Sequence, residues 1–211
     1  MEKIPAPMPG WCTSPCRSPP FLWKGKPMHE FDPAVLAPRP CAKQGAHQGF
    51  CLQNVLMSKP HDYTFATLPA HAGRDFGLSR AMRVNQSRID QFAECSGDDQ
   101  WIHVDVERAR TSPIGNTIAH GLLLLSLITK AQYDVRVFPD DAAHILNYGF
   151  DKVRFLAPVP AGSSLVIRVE LTEVESKGPG RTLVRCRNTA YLESAPDRPV
   201  MVADSLAMLM A

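Results

Sequence analysis

Two residues in the middle of the chain could move protons together. Asp98 is an acid and His103 an imidazole, five positions apart in Ser96-Gly97-Asp98-Asp99-Gln100-Trp101-Ile102-His103. Partners on one helical face sit three or four apart, so a loop must bring this pair together. Gly97 ahead of Asp98 suits the sharp exit of a helix. A carboxylate and an imidazole around one water can take a proton from it and give one back. The competing reading is a surface turn with an ordinary histidine. Downstream, His120-Gly121 opens the apolar run Leu122 to Leu125, which ends at Ser126. Gly121 falls in the first turn of the expected helix, where backbone N–H groups lack partners. With no side chain to block close approach, it could donate to a carbonyl oxygen. A hydroxyl such as that of Ser126 can instead bond back to its own helical turn.

The elements that position these residues follow from local pattern. Ser79 to Val84 reads as a short strand. Asn85 or Ser87 can cap the helix that follows, and Ile89, Phe92 and Ala93 give it one buried stripe. Gly97 stops it, which leaves Asp98 in the loop before His103. Asp105 caps a further turn, Val106 to Ala109. Thr117 to about Tyr133 is the second main helix, apolar on nearly every face and therefore expected to be buried all round.

Four long strands come next: Ile145 to Leu156, Ser164 to Ser176, Arg181 to Leu192 and Val200 to Met210. Turn signals separate them at Pro158 to Gly162, Lys177 to Gly180 and Ala195 to Pro199. Leu165, Ile167, Val169 and Leu171 alternate with Val166, Arg168, Glu170 and Thr172, which predicts one wet face. Short turns imply an antiparallel meander. The class expected is α+β: a single hot-dog fold, with an antiparallel sheet wrapped around a central apolar helix. Such a sheet has open edges, which proteins rarely leave bare.

Residues 1–56 differ from the rest. They hold ten of the 19 prolines, each of which removes a backbone donor and fixes φ. Six Lys/Arg against three acids give them +3 of the chain's net +2, so the remainder carries −1. No helical or strand period runs through them. They read as an extension without a fold, or as a gene start placed too early, since Met57 is a plausible beginning. Residues 57–211 form the domain, with the ordered core expected over about 75–211. Cys12, Cys16, Cys41 and Cys51, with His29 and His47, have spacings that fit no tight zinc knuckle. No metal and no cofactor are expected.

Composition narrows the partners. A nearly neutral domain gives no electrostatic case for nucleic acid. The run Leu122 to Ile128 is far below the roughly 20 residues a membrane span needs. The N-terminus lacks the basic start and apolar core of a secretory signal. Six cysteines without such a signal read as reduced thiols in a cytoplasmic protein.

The central stretch resembles the MaoC-like dehydratases, the family of (R)-specific enoyl-CoA hydratases. Their signature F-A-x-x-S-G-D-x-N-P-x-H-x-D stands here as Phe92 to Asp105. A second, I-A-H-G before an apolar helix, stands as Ile118 to Gly121. A third, V-R-F-x-x-P-V-x-x-G, is matched by Val153-Arg154-Phe155, Pro158-Val159 and Gly162. The family's usual Asn-Pro is Gln100-Trp101. With Asn147-Tyr148-Gly149 downstream, that variant is similar to the branch named for the nodulation protein NodN. The resemblance implies hydration or dehydration of a 2-enoyl/3-hydroxyacyl thioester carried on CoA or a carrier. It makes Asp98 and His103 catalytic, places Gly121 and Ser126 against the substrate, leaves His120 to fix the loop, and implies a homodimer. Two other activities belong to the same fold class: a thioesterase, and a non-catalytic acyl-binding protein.

Overall fold

The structure is a computed structural model that describes residues 59–211. It also describes two short strands, β1 (Leu22–Trp23) and β2 (Lys26–Pro27), which pair antiparallel with each other. The cysteines and histidines weighed above for zinc lie outside the described residues.

From Lys59 onward the chain folds as an antiparallel sheet packed on one long helix. The strands are β3 (Arg74–Leu78), β4 (Met82–Val84), β5 (His144–Phe155), β6 (Ser163–Ser176), β7 (Arg181–Leu192) and β8 (Ala195–Met210). The sheet runs β3-β6-β7-β8-β5, with β4 also on β6, and every pairing is antiparallel. The helices are α1 (Gln86–Ser96), α2 (Trp101–Val104), α3 (Val106–Thr111) and α4 (Gly121–Asp134). This is the α+β hot-dog arrangement that the strand and helix pattern predicts.

Local chemistry explains the element ends. The Asn85 side chain accepts from Arg88 N and starts α1; Gly97, at φ 74°, ends it in the left-handed conformation that glycine adopts without strain. The Asp105 carboxylate accepts from Arg108 N and caps α3. On the sheet side, α4 buries Leu123, Leu124, Ile128 and Ala131. Each large aliphatic side chain so covered contributes about 1.5–3 kcal/mol. Leu165, Ile167, Val169 and Leu171 answer from β6. One polar knot lies within this core: Gln132 Nε2 donates to Ser205 Oγ at 2.6 Å and to Asn188 Oδ1 at 3.2 Å.

Several sequence expectations need correcting. The packed structure begins before Asp75: Tyr63 and Leu68 are buried, and the Tyr63 hydroxyl donates to Val137 O at 2.5 Å. The short irregular stretch before β3, with Pro60, Tyr63, Phe65 and Pro69, has no period to read. Of the strand expected over Ser79 to Val84, only Met82–Val84 is strand; β3 ends at Leu78, and Ser79 beside it bonds Ile167 twice, its N–H donating to Ile167 O at 2.8 Å and its Oγ accepting from Ile167 N at 3.0 Å. Val166 is buried although it falls on the expected wet face. Helix α4 starts at Gly121 and not at Thr117. Residues 117–119 are extended instead, with Ala119 N donating to Val159 O at 2.8 Å and Ile118 bridged to Pro160.

Nor is α4 buried all round. Leu122 is 61% exposed and Tyr133 57%. Ser126, one turn after Leu122, is exposed as well. On the edge strand β5, Leu146, Tyr148 and Phe150 are also exposed. The sheet of one chain covers only one side of its helix.

Candidate active site

The end of α1, the one-turn α2 and the start of α4 meet at one place. Asp98 follows the Gly97 turn and is half-buried. His103 stands on α2, where the sequence pattern expected a loop; a four-residue helix is too short to show a period. An Asp98 oxygen and one ring nitrogen each of His103 and His120 lie within 4.8 Å of one another. The structure therefore brings together Asp98, His103 and, beside them, His120.

His103 is buried, and its Nδ1 lies 2.7 Å from Ile118 O. A carbonyl only accepts, so Nδ1 carries the proton and Nε2 is left bare in the neutral ring. Burial pushes the His103 pKa below the ordinary histidine value, and nearby His120 adds to that; the bond to Ile118 and the Asp98 charge act the other way. The ring is accordingly neutral at pH 7, able to accept a proton at Nε2.

His120 ties down the loop that carries Asp98. Its Nε2–H donates to Asp98 O at 2.9 Å, and its ring stacks on His103 with 3.8 Å between centroids. Gln86 was not singled out from the sequence, yet it braces the same place. Its Nε2 donates to His103 O at 2.7 Å, and its Oε1 accepts from the Thr117 hydroxyl at 2.5 Å. Nothing local marks Gln86 for this place: its nearby partner, Asp90 Oδ1 at 2.7 Å, is an ordinary i,i+4 contact, and the two that brace the site are tertiary. On the open side, Trp101 carries the Arg108 guanidinium over its ring at 4.3 Å.

Gly121 is the first residue of α4, so its N–H has no acceptor within the helix. A second reason for glycine comes from the sheet. A Cβ at this position would stand 2.9 Å from Phe155 Cε2. The I-A-H-G and V-R-F segments thus meet, the phenylalanine of one lying on the glycine of the other. Ser126 is farther along α4, on its exposed face. Its hydroxyl donates to Leu123 O at 2.7 Å, the bond back to its own turn considered above.

These segments are the ones that define a known class of proteins. The family model described as "MaoC like domain" matches residues 67–192, and the chain belongs to that family. Among named relatives, it is 39% identical over 146 residues to 3-hydroxyacyl-thioester dehydratase Z of Mycobacterium tuberculosis, covering 69% of this chain and 95% of that one. It is 35% identical over 150 residues to nodulation protein N of Rhizobium leguminosarum, covering 71% and 92%. Among solved structures it resembles the (R)-hydratase PhaJ1 of Pseudomonas aeruginosa, with 26% identity, a TM-score of 0.51, and coverage of 66% of this chain and 81% of that one. Among the described residues, no helix is long and apolar enough to cross a membrane.

Proposed function

We propose that the protein adds water to, or removes it from, a 2-enoyl/3-hydroxyacyl thioester, with Asp98 and His103 as the catalytic pair. The observation behind this is the approach of the Asp98 carboxylate to the His103 ring, beside the unpaired N–H groups that open α4. The named relatives are a 3-hydroxyacyl-thioester dehydratase and an (R)-hydratase, which puts the same chemistry on the same fold.

In hydration, one water sits between the Asp98 carboxylate and His103 Nε2. One of the pair takes a proton from it as its oxygen bonds Cβ, and the pair delivers a proton to Cα. One water is added and both side chains end as they began. Charge that builds on the thioester oxygen meets the Gly121 N–H. Such a donor is worth about 10²–10³ in rate. Ser126 serves as a substrate contact once its hydroxyl releases Leu123 O. The thioester is carried on CoA or on a carrier protein, as the family resemblance implies.

The working unit is proposed to be a homodimer. Strand β5 is a sheet edge bearing exposed Leu146 and Tyr148, and Leu122 and Ser126 are open on α4. A second copy joined at β5 would extend the sheet and cover this apolar surface.

The test follows a short trans-2-enoyl-CoA by loss of enoyl absorbance and by release of free thiol. Hydration without thiol release is expected. Asp98→Asn and His103→Ala should each lower kcat by about 10² or more. Because both act on one water, the double variant should be scarcely slower than either single one. Full turnover in Asp98→Asn would refute the pair, and thiol release would make the protein a thioesterase.

A further inference from the structure

His103 can take part in the reaction only while one nitrogen of its ring stays free. Its Nδ1 donates to Ile118 O at 2.7 Å, which leaves the lone pair on Nε2. Two segments must keep their register for this to last: α2, which carries the ring, and the extended residues 117–118, which carry its acceptor. One backbone bond joins them, Ile118 N donating to Ile102 O at 3.0 Å. A second tie passes through a side chain of a third element, Gln86, the first residue of α1.

The Gln86 amide is used to the full. A carbonyl only accepts, so Nε2 and not Oε1 must face His103 O. The two hydrogens of Nε2 go to His103 O and to Asp90 Oδ1, both at 2.7 Å. Oε1 accepts from the Thr117 hydroxyl at 2.5 Å. Both ends of this link depend on it. His103 O is among the last carbonyls of a one-turn helix, which find no N–H within the helix. Thr117 is wholly buried, and the other oxygen near its hydroxyl, Asn116 Oδ1, is 3.5 Å away. Position 86 therefore needs one group that donates and accepts at the end of a two-carbon stem. An ionised glutamate only accepts, methionine does neither, and asparagine is one carbon short.

We propose that Gln86 is a positioning residue for the reaction: by tying His103 O to Thr117 it keeps the His103 ring on Ile118 O and so keeps Nε2 free for the water. The effect on turnover rests on the catalytic role of His103 proposed above. The position of the ring proton is measured apart from it.

The experiment uses the full-length protein with nitrogen-labelled histidine. Nuclear magnetic resonance of the ring nitrogens reads the tautomer, His103→Gln identifies the signal, and enoyl-CoA hydration is followed in parallel. The wild type should show His103 neutral with its proton on Nδ1. In Gln86→Met the signal should move toward a mixture of the two tautomers. Its kcat should fall by about tenfold or more, as a misplaced reacting group requires, with KM within about twofold because no substrate contact is lost. Gln86→Glu, which keeps the acceptor for Thr117 and loses the donor to His103 O, should do the same. So should Thr117→Val, and Thr117→Ser, which restores the hydroxyl, should recover both readouts. The double variant Gln86→Met/Thr117→Val should be scarcely slower than either single one, since both cut one link. Circular dichroism checks the fold, and where Gln86→Met does not fold, Gln86→Glu and Thr117→Val carry the test. A folded Gln86→Met with the wild-type tautomer and turnover overturns the proposal, even if it is less stable, because Gln86 is then a packing residue only. Slow turnover with the tautomer unchanged would sink the route through the ring. If the wild type hydrates no enoyl thioester, the catalytic reading fails, and the nitrogen spectra still decide whether Gln86 orients His103.

Discussion

Adding one methyl group at Gly121 tests how the site is assembled. In Gly121→Ala the new Cβ would lie 2.9 Å from Phe155 Cε2 and 3.0 Å from two further ring atoms. Carbon atoms in contact prefer about 3.5–4.0 Å, so three contacts are short by about 0.5–1 Å. Overpacking of this kind costs about 1–3 kcal/mol. Phe155 is 38% exposed and can lean outward, which favours the lower half of that range. Against it stands the better helix propensity of alanine, at most about 1 kcal/mol. The net expectation is a loss of about 0–2 kcal/mol, or up to about 8 °C in Tm for a chain of this size. Removing the ring removes the cause. In a Phe155→Ala background, the same substitution at Gly121 should be neutral or stabilising. Urea denaturation of the four proteins gives the coupling, expected at about 1–3 kcal/mol. If the two changes add within about 0.5 kcal/mol, Phe155 is not the reason for glycine. Turnover separates a second role. If substrate oxygen approaches the Gly121 N–H, the double variant recovers stability and remains slow.

Three further outcomes are expected. Burial lowers the His103 pKa in the folded chain, so between the folded and unfolded values the unfolded chain binds more protons. The stability from keeping His103 neutral is full above about pH 6.5 and falls as pH drops below it, and the acid limb of kcat/KM assigned to this ring should also lie below about 6.5; a limb above that value would contradict the burial. A chain beginning at Met57 should fold and turn over like the full chain, because it keeps every contact described for residues 59–211, including Lys59 Nζ to Phe138 O at 3.1 Å and the burial of Tyr63; aggregation or lost turnover would show that residues 1–56 belong to the domain. Light scattering at micromolar concentration should give a dimer, and Leu146→Asp on the β5 edge should shift it toward monomer; a wild-type monomer would remove the edge-pairing proposal.

What could be read from the sequence was whatever is decided within a few residues. The Asn85 cap, the Gly97 stop and the Asp105 cap are contacts between near neighbours, and each was visible as a residue type at a helix end. The long strands β6 and β7 announce themselves by alternation and by glycine turns. The helix α2 does not, because four residues show no period. The start of α4 was displaced because Thr117 to Ala119 pair with the Pro158 to Ala161 turn, some forty residues away.

The site divides along the same line. Asp98 and His103 belong to one short stretch, so residue type and spacing could point to them. The groups that hold them are tertiary. Gln86 spans from His103 to Thr117, and His120 reaches back 22 residues to the Asp98 carbonyl. Apolar composition likewise cannot say which face of α4 its own sheet will cover. Leu123 and Leu124 are buried beside a Leu122 that is exposed, three identical side chains in a row. The difference lies in what packs against each, and the sheet of its own chain leaves Leu122 uncovered. An apolar helix therefore reports the whole environment its residues need, which one chain of this fold supplies only in part.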